Sequence, residues 1–333
     1  MQARLVPGQV SVATFIEAGA PTSHRAFARR AALFLTIGAA LYGGAYAAAE
    51  WLVYRHAQRN RFFAVRSAPP SRYDHVILGA SHSAAFDYQD MNARLERMTG
   101  ATIMNLSVVG GGISVSRLLL DYFLSRHEAG SIIYVVDSFA FYSREWNEDR
   151  LRDRRLFARA PFDPTLAWLL LRNPATLSVA LDYAAGFSKI NNRDRFAPDV
   201  FPDEATRFDR AYRPVDQIDE QRLAFLYPTQ VNPAVFRRYL AQFEALVADA
   251  RSRGLRVVVV KPPIPERVSR MIPGEARFDS ALSEVLSRHG VELHDFTHAG
   301  FDDEFFYDTD HLNREGVLTF FEYYLKDALL AIR

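Results

Sequence analysis

Cysteine is absent from the chain, which excludes disulfides, a thiolate nucleophile and cysteine-bound metals. The absence fits an exported protein without requiring export. An excess of charge is missing too: 40 basic residues nearly cancel 39 acidic ones, so no long-range field draws the protein to nucleic acid. No internal repeat is present. The triplet Gly110-Gly111-Gly112 does not grow into Gly-x-Gly-x-x-Gly, because Val115 stands where the last glycine belongs, and no dinucleotide fingerprint results. No cofactor is expected from any pattern in the chain. At 333 residues the chain suits one large α/β domain carrying an insertion.

Charge is also lacking locally. From Ala31 to Ala49 no residue is charged, and Trp51 and Tyr54 follow as amphipathic rings, a pattern that predicts a helix able to span a ~30 Å hydrocarbon core. Residues 31–54 are therefore expected to form a transmembrane anchor. Two other readings are a cleaved signal peptide, with Ala45-Tyr46-Ala47 as a small-x-small site, and a buried soluble helix. Arginines lie on both sides of the span (Arg25, Arg29 and Arg30 before it, Arg55, Arg59, Arg61, Arg66 and Arg72 after it), so charge bias leaves the orientation open. Ala39, Gly43 and Ala47 recur every fourth residue and would let a second transmembrane helix approach. Residues 1–30, with Pro7, Gly8, Gly19 and Pro21, read as a mostly disordered tail. Residues 55–72, basic and ending in Pro69-Pro70, read as a juxtamembrane linker.

From residue 73 onward strands alternate with helices. Strands are expected over His75–Leu78, Thr102–Leu106, Ser131–Val136, Leu255–Val260 and Val291–Leu293, with helices from Asp90, from a Ser114 cap, from Asn232-Pro233, near Asp279 and from an Asn313 cap. That order predicts a parallel sheet. Residues 138–231 interrupt it and read as an insertion or cap, rich at its start in Phe139, Phe141, Tyr142 and Trp146. The alternating charges of Arg144–Arg155 read as a solvated face, with sugar stacking on Trp146 as a second reading.

Two loops carry chemistry. Gly79-Ala80-Ser81-His82-Ser83 follows the first strand, and Asp308-Thr309-Asp310-His311 precedes the last helix. A serine hydroxyl becomes a nucleophile when an imidazole takes its proton and a carboxylate orients that imidazole. Strands ending at one sheet edge would bring all three into the crevice beyond their carboxyl ends. Asp310 reads as a solvated or capping acid, and His82 as a pocket-lining or surface histidine. Asp308, Asp310 and His311 have the donor types of a metal site, but no second histidine cluster stands nearby in sequence and no metal is expected.

These two blocks resemble the Gly-Asp-Ser-x-Ser and Asp-x-x-His blocks of SGNH/GDSL hydrolases. The resemblance spans roughly Tyr73–Ala331, less the insertion. It implies a three-layer flavodoxin-like fold with a five-stranded parallel sheet, Ser81 as nucleophile, His311 as general base and Asp308 as its orienting acid. Asn105-Leu106-Ser107-Val108-Val109-Gly110 resembles the second block, which implies Gly110, with Ser107 as an alternative, as an oxyanion donor beside the Ser81 N–H. Two departures stand out: Ala80 replaces an Asp, and Asp137-Ser138 stands where the third block has Asn. An ionised Asp137 cannot donate a hydrogen bond.

Together with the span, these departures resemble the membrane-anchored branch that includes DltD-like and alginate O-acetylation (AlgX/AlgJ-like) proteins. That resemblance implies an extracytoplasmic (periplasmic) acyltransferase of the cytoplasmic membrane. Its expected substrate is a cell-surface polysaccharide or teichoic-acid-like glycan, and its expected partner a membrane-bound O-acyltransferase. An esterase with the same triad and a non-catalytic subunit of an acylation or export complex are the alternatives.

Overall fold

The computed structural model describes residues 23–332 of the chain. The chain divides into two units, residues 1–47 and 48–333. Helix α1 (His24–His56) fills the described part of the first unit and continues into the second. Over an 18-residue stretch its mean hydropathy is 1.5, and none of that stretch is buried. Such a helix is long and apolar enough to cross a bilayer, a property shared by anchors and signal sequences. The tail expected through Arg30 is thus helical from His24; the rest of that expectation lies outside the described residues.

The linker expected over residues 55–72 contains a packed helix, α2 (Arg61–Ser67), capped by Asn60, whose side chain accepts from the Phe63 N–H. Phe62 and Val65 are buried, and the Phe62 ring meets Phe157 at 5.1 Å between centroids. Apolar burial at i and i+3 holds this segment against the protein rather than leaving it free to lie on headgroups.

The sheet comprises β1 (Arg72–Leu78), β2 (Ile103–Asn105), β3 (Glu128–Val135), β4 (Arg256–Lys261) and β5 (Glu292–Asp295), every pair parallel, in the order β2-β1-β3-β4-β5. This is the flavodoxin-like doubly wound order. Strand alternation divides the core: Val76, Leu78, Ile132, Tyr134, Val257 and Val259 belong to one apolar cluster, and Ile77, Ile133, Val135, Val258 and Val260 to the other. Helices cover both faces, so the strands read as near-continuous apolar runs. After β1 come α3 (Ser81–Ala84) and α4 (Met91–Thr99), and after β2 comes α5 (Ile113–Leu124). The insertion supplies α6 (Pro164–Arg172), α7 (Leu177–Ala185) and α8 (Asp216–Leu226). Then follow α9 (Pro233–Ser252), α10 (Glu275–Arg288) and α11 (Arg314–Phe320), the last continuing through a π turn at Phe321–Leu325 into Lys326–Leu330.

Two local expectations change. Ser114 does not cap α5: its N–H donates to Asn147 Oδ1 (3.1 Å) and its hydroxyl to Gln242 Oε1 (2.9 Å). Phe139, Phe141, Tyr142 and Trp146 are core residues, and Trp146 Nε1 donates to the Leu226 carbonyl (3.2 Å). Buried and hydrogen-bonded, Trp146 offers no stacking face to a sugar.

Candidate functional site

The first loop is fixed by close approach. At Gly79 (φ +153°) an added Cβ would lie 2.7 Å from the Val135 carbonyl oxygen and against Ser83 Oγ, so only glycine lets the chain turn here. Ser81 opens α3, and its N–H has no acceptor one turn back. The second loop is tied to the first: Asn105 Nδ2 donates to the Ser83 carbonyl (2.7 Å), Ser107 N–H to Asn105 Oδ1 (2.9 Å) and Val108 N–H to the Gly79 carbonyl (3.1 Å).

The third loop is a tight turn. Tyr307 N–H donates to the His311 carbonyl (2.9 Å) and Asn313 N–H to that of Phe305 (2.8 Å), closing Asp308-Thr309-Asp310 above an isolated antiparallel bridge between Phe306 and Leu312. Within the turn Asp308 Oδ1 accepts from the His311 N–H (2.9 Å), and His311 Nδ1 lies 2.9 and 3.0 Å from the two Asp308 oxygens and 3.2 Å from Asp310 Oδ1. An Nδ1–H donating to Asp308 leaves Nε2 as the ring's acceptor nitrogen. The Tyr307 ring stacks parallel to His311 at 5.4 Å.

The first and third loops meet through His82. Its ring lies 4.8 Å from that of His311, its Nδ1 is 2.6 Å from Asp137 Oδ1, and its Nε2 is 3.6 Å from Asp310 Oδ2. His82 is a buried member of the cluster, with an Nε2 that makes no hydrogen bond. Asp310 is not a solvated acid: it is 3 % exposed and takes a forked contact from Arg222, whose Nε is 3.1 and 3.2 Å from its two oxygens. Arg222 Nη2 also lies 3.5 Å from His311 Nε2. Arg222 comes from α8, so the insertion forms one wall of the site. On the same helix Asp219 accepts from Thr309 Oγ1 (2.8 Å) and pairs with Arg267, steadying the turn from outside.

Three carboxylates, one guanidinium and two imidazoles thus share a buried space, and the titrations of His82, His311, Asp308 and Asp310 follow from their neighbours. Burial works against a charged His82, but Asp137 and Asp310 outweigh it and hold the ring up to about 10. His311 is likewise raised against burial, by Asp308 and Asp310. Burial alone would raise the Asp310 carboxyl, yet His311 and Arg222 hold it well below the usual range. Asp308 is lowered in the same way by His311, again against burial. His82 is therefore an imidazolium at neutral pH.

Among the other expected residues, Asp137 is no oxyanion donor: its carboxylate orients His82. Ser107 is fully buried, its carbonyl accepting from Arg61 Nε (2.9 Å) while its Oγ has no partner. Gly110 adopts φ +67° over the Trp146 ring. Among the described residues no hydrogen bond joins Ser81 Oγ to His311, or Gly110 to Ser81. His82, Asp310 and His311 offer three ligand atoms within 4.8 Å of one another, but Arg222 already occupies both Asp310 oxygens and stands beside His311 Nε2. A cation would have to displace that guanidinium, so the donor set fits a metal poorly. Sequence reasoning missed Arg222 and gave Asp310 the wrong environment. Arg222 lies 88 residues from Asp310, and no local pattern marks such a contact.

Neither a protein-family profile nor a curated protein sequence matches the chain. Several solved structures are similar to the chain, two of them as follows. One, from Bacteroides fragilis, carries a provisional designation as an acylhydrolase; it has 9% identity and a TM-score of 0.39, covering 81% of this chain and 94% of its own. The other, from Streptococcus pneumoniae, carries a provisional designation as a platelet activating factor; it has 13% identity and a TM-score of 0.39, covering 90% of this chain and 99% of its own.

Proposed function

We propose that the chain is a serine enzyme of SGNH type, anchored by α1 with residues 48–333 outside the cytoplasm, that transfers an acyl group to a hydroxyl of a cell-surface glycan. The observation that carries this is the His311–Asp308 pair, with Nε2 left as proton acceptor in the crevice where His82, and hence Ser81, stands. Ser81 Oγ attacks the acyl carbonyl while His311 Nε2 takes its proton. The tetrahedral intermediate collapses as that proton passes to the leaving oxygen, giving an acyl-Ser81 ester. An acceptor hydroxyl, deprotonated by His311 in turn, attacks the ester and releases Ser81. With water as acceptor the same steps make an esterase. The Ser81 and Gly110 N–H groups are two oxyanion donors in this scheme. His82 is the third, replacing the missing Asn: Asp137 holds Nδ1, so the free Nε2–H can donate. A membrane-bound O-acyltransferase would supply the acyl group from across the bilayer.

A fluorophosphonate probe on the full chain in detergent tests this. Labelling is expected, and Ser81→Ala should abolish it. A second reading, a non-catalytic subunit of a membrane acylation complex, is favoured by Arg222 standing 3.5 Å from His311 Nε2, where the serine proton would have to go. Absence of labelling, with and without co-expressed membrane partners, would select that reading.

A further inference from the structure

On the far side of the second loop, between the insertion and the segment Arg59–Phe62, lies a cavity of about 980 Å³. Seven arginines line it against three aspartates, Asp194, Asp199 and Asp203. Its deepest polar groups are incomplete. Arg61 is 7 % exposed, with Nη1 on Asp87 (2.5 Å), Nε on the Ser107 carbonyl and its guanidinium 5.1 Å over the Phe201 ring, but its Nη2 is buried without a hydrogen-bond partner. Ser107 Oγ, on the same wall, is also buried without a partner. A buried donor left unmade is costly, so two on one cavity wall mark a place for an acceptor. Nearer solvent, Arg150, Arg154 and Arg159 are paired with Asp153, Asp182 and Asp199. Arg155 and Arg193 have no ion pair among the described residues.

The rim is apolar. Phe187, half exposed, lines the cavity, and in the same segment of the insertion Leu177 and Leu181 stand exposed on α7 and Trp168 and Leu171 on α6. This segment is tied to the end of the apolar helix: Glu50 accepts from the Phe162 N–H (3.1 Å) and pairs with Lys189 Nζ. Arg59 follows that helix by three residues, within ~10 Å of its end. A cationic interior with an apolar rim beside such a helix matches a molecule that is anionic at one end and greasy at the other.

We propose that this cavity binds the phosphate group of an amphiphile, with Arg61 and Ser107 holding the phosphate oxygens inside, Arg155 and Arg193 closing over them, and the acyl portion lying on the Phe187 rim. Arginine forks suit phosphate oxygens. The phosphate could belong to a bilayer lipid headgroup or to a soluble phosphoester, and the proposal does not rest on the chemistry of Ser81.

The test uses the full chain in a phosphate-free detergent. Lipid retention is read by native mass spectrometry after extraction from vesicles containing phosphatidylglycerol and a galactolipid. Phosphatidylglycerol should be retained at least tenfold over the galactolipid, and Arg155→Gln/Arg193→Gln, which breaks no ion pair, should lower retention at least fivefold with an unchanged melting temperature. Inorganic pyrophosphate should raise the melting temperature by several degrees. If pyrophosphate does so and phosphatidylglycerol does not compete, the site is a phosphate site for a soluble ester. Equal retention of both lipids with no pyrophosphate effect would overturn the proposal, as would a double variant that binds like the parent. Displacement of pyrophosphate by an oligouronate would also overturn it, in favour of an acidic glycan. Ser81→Ala should leave retention unchanged, so the two proposals fail separately.

Discussion

His311 meets two opposed demands. As the proposed general base it must be neutral, yet Asp308 and Asp310 raise its pKa above the ordinary 6.5 despite burial. A base works only above its pKa, so fluorophosphonate labelling should rise with pH through a midpoint above 6.5. Arg222→Gln removes the positive charge beside Nε2 and should move that midpoint higher; a midpoint at or below 6.5 in the parent chain would show that His311 is not the base. His82 titrates on a different scale. Its folded value of about 10 exceeds the ordinary 6.5, so the folded state binds its proton more tightly than the unfolded one. The stabilisation is then complete below pH 6.5, declines above it and is gone once pH passes about 10. Melting temperature should therefore fall across that window in the parent and fall less in His82→Ala, and parallel curves would refute the linkage. As a lost oxyanion donor, His82→Ala should also slow labelling by about 10²–10³-fold, with Ser81 still labelled.

The elements explain why these residues stand where they do. Strand ends fix Ser81, and an N-cap fixes His311. Asn313 Oδ1 accepts from the Gly316 N–H (2.9 Å), while Nδ2 donates to the Glu304 (2.6 Å) and Arg210 (3.1 Å) carbonyls. One side chain thus joins the Asp308–His311 turn, α11 and the insertion. Asn313→Ala loses a cap and strands two carbonyls, which should cost about 2 kcal/mol or more. Labelling should slow as well, because the Asp308–His311 turn loosens; a variant destabilised in denaturant melts yet labelled at the parent rate would detach the cap from the site. The cap was legible, since Asn313 stands before a regular apolar stripe. So were the five strands and the Asp308–His311 pair, because period-2 alternation and i, i+3 spacing are local. Three things were not legible. Helix α2 looked like a basic linker because its apolar face is only two residues wide. Asp310 reads in the sequence as a solvated or capping acid, and Asp137 only as the residue standing at the oxyanion position, because their partners, Arg222 and His82, reach them across the fold. Trp146 admitted a second reading as a sugar platform, and its segment a first reading as a solvated face, because composition does not tell a buried ring from an exposed one.

At the scale of the whole molecule, two apolar surfaces stand uncovered among the described residues. One is α1 over its uncharged stretch. The other is the α6–α7 face of the insertion, where Trp168 and Leu181 are 60 % and 61 % exposed, beside a cavity with an excess of arginine. Exposed rings and leucines on adjoining helices next to cationic side chains are the composition of a surface that lies in a bilayer interface. Residues 48–333 form a unit with its own two-sided core, so removing residues 1–47 should leave it folded. If α1 alone held the protein to membranes, the truncated chain would stay in the supernatant with any vesicle. The second surface predicts otherwise: the truncated chain should co-sediment with vesicles containing phosphatidylglycerol, bind less to neutral ones, and lose binding in high salt as its cationic share is screened. Trp168→Gln/Leu181→Gln should weaken sedimentation at low salt while leaving the melting temperature within a degree or two, since both side chains already face solvent. Sedimentation unaffected by that double change would remove the insertion from the membrane and leave α1 as its one attachment.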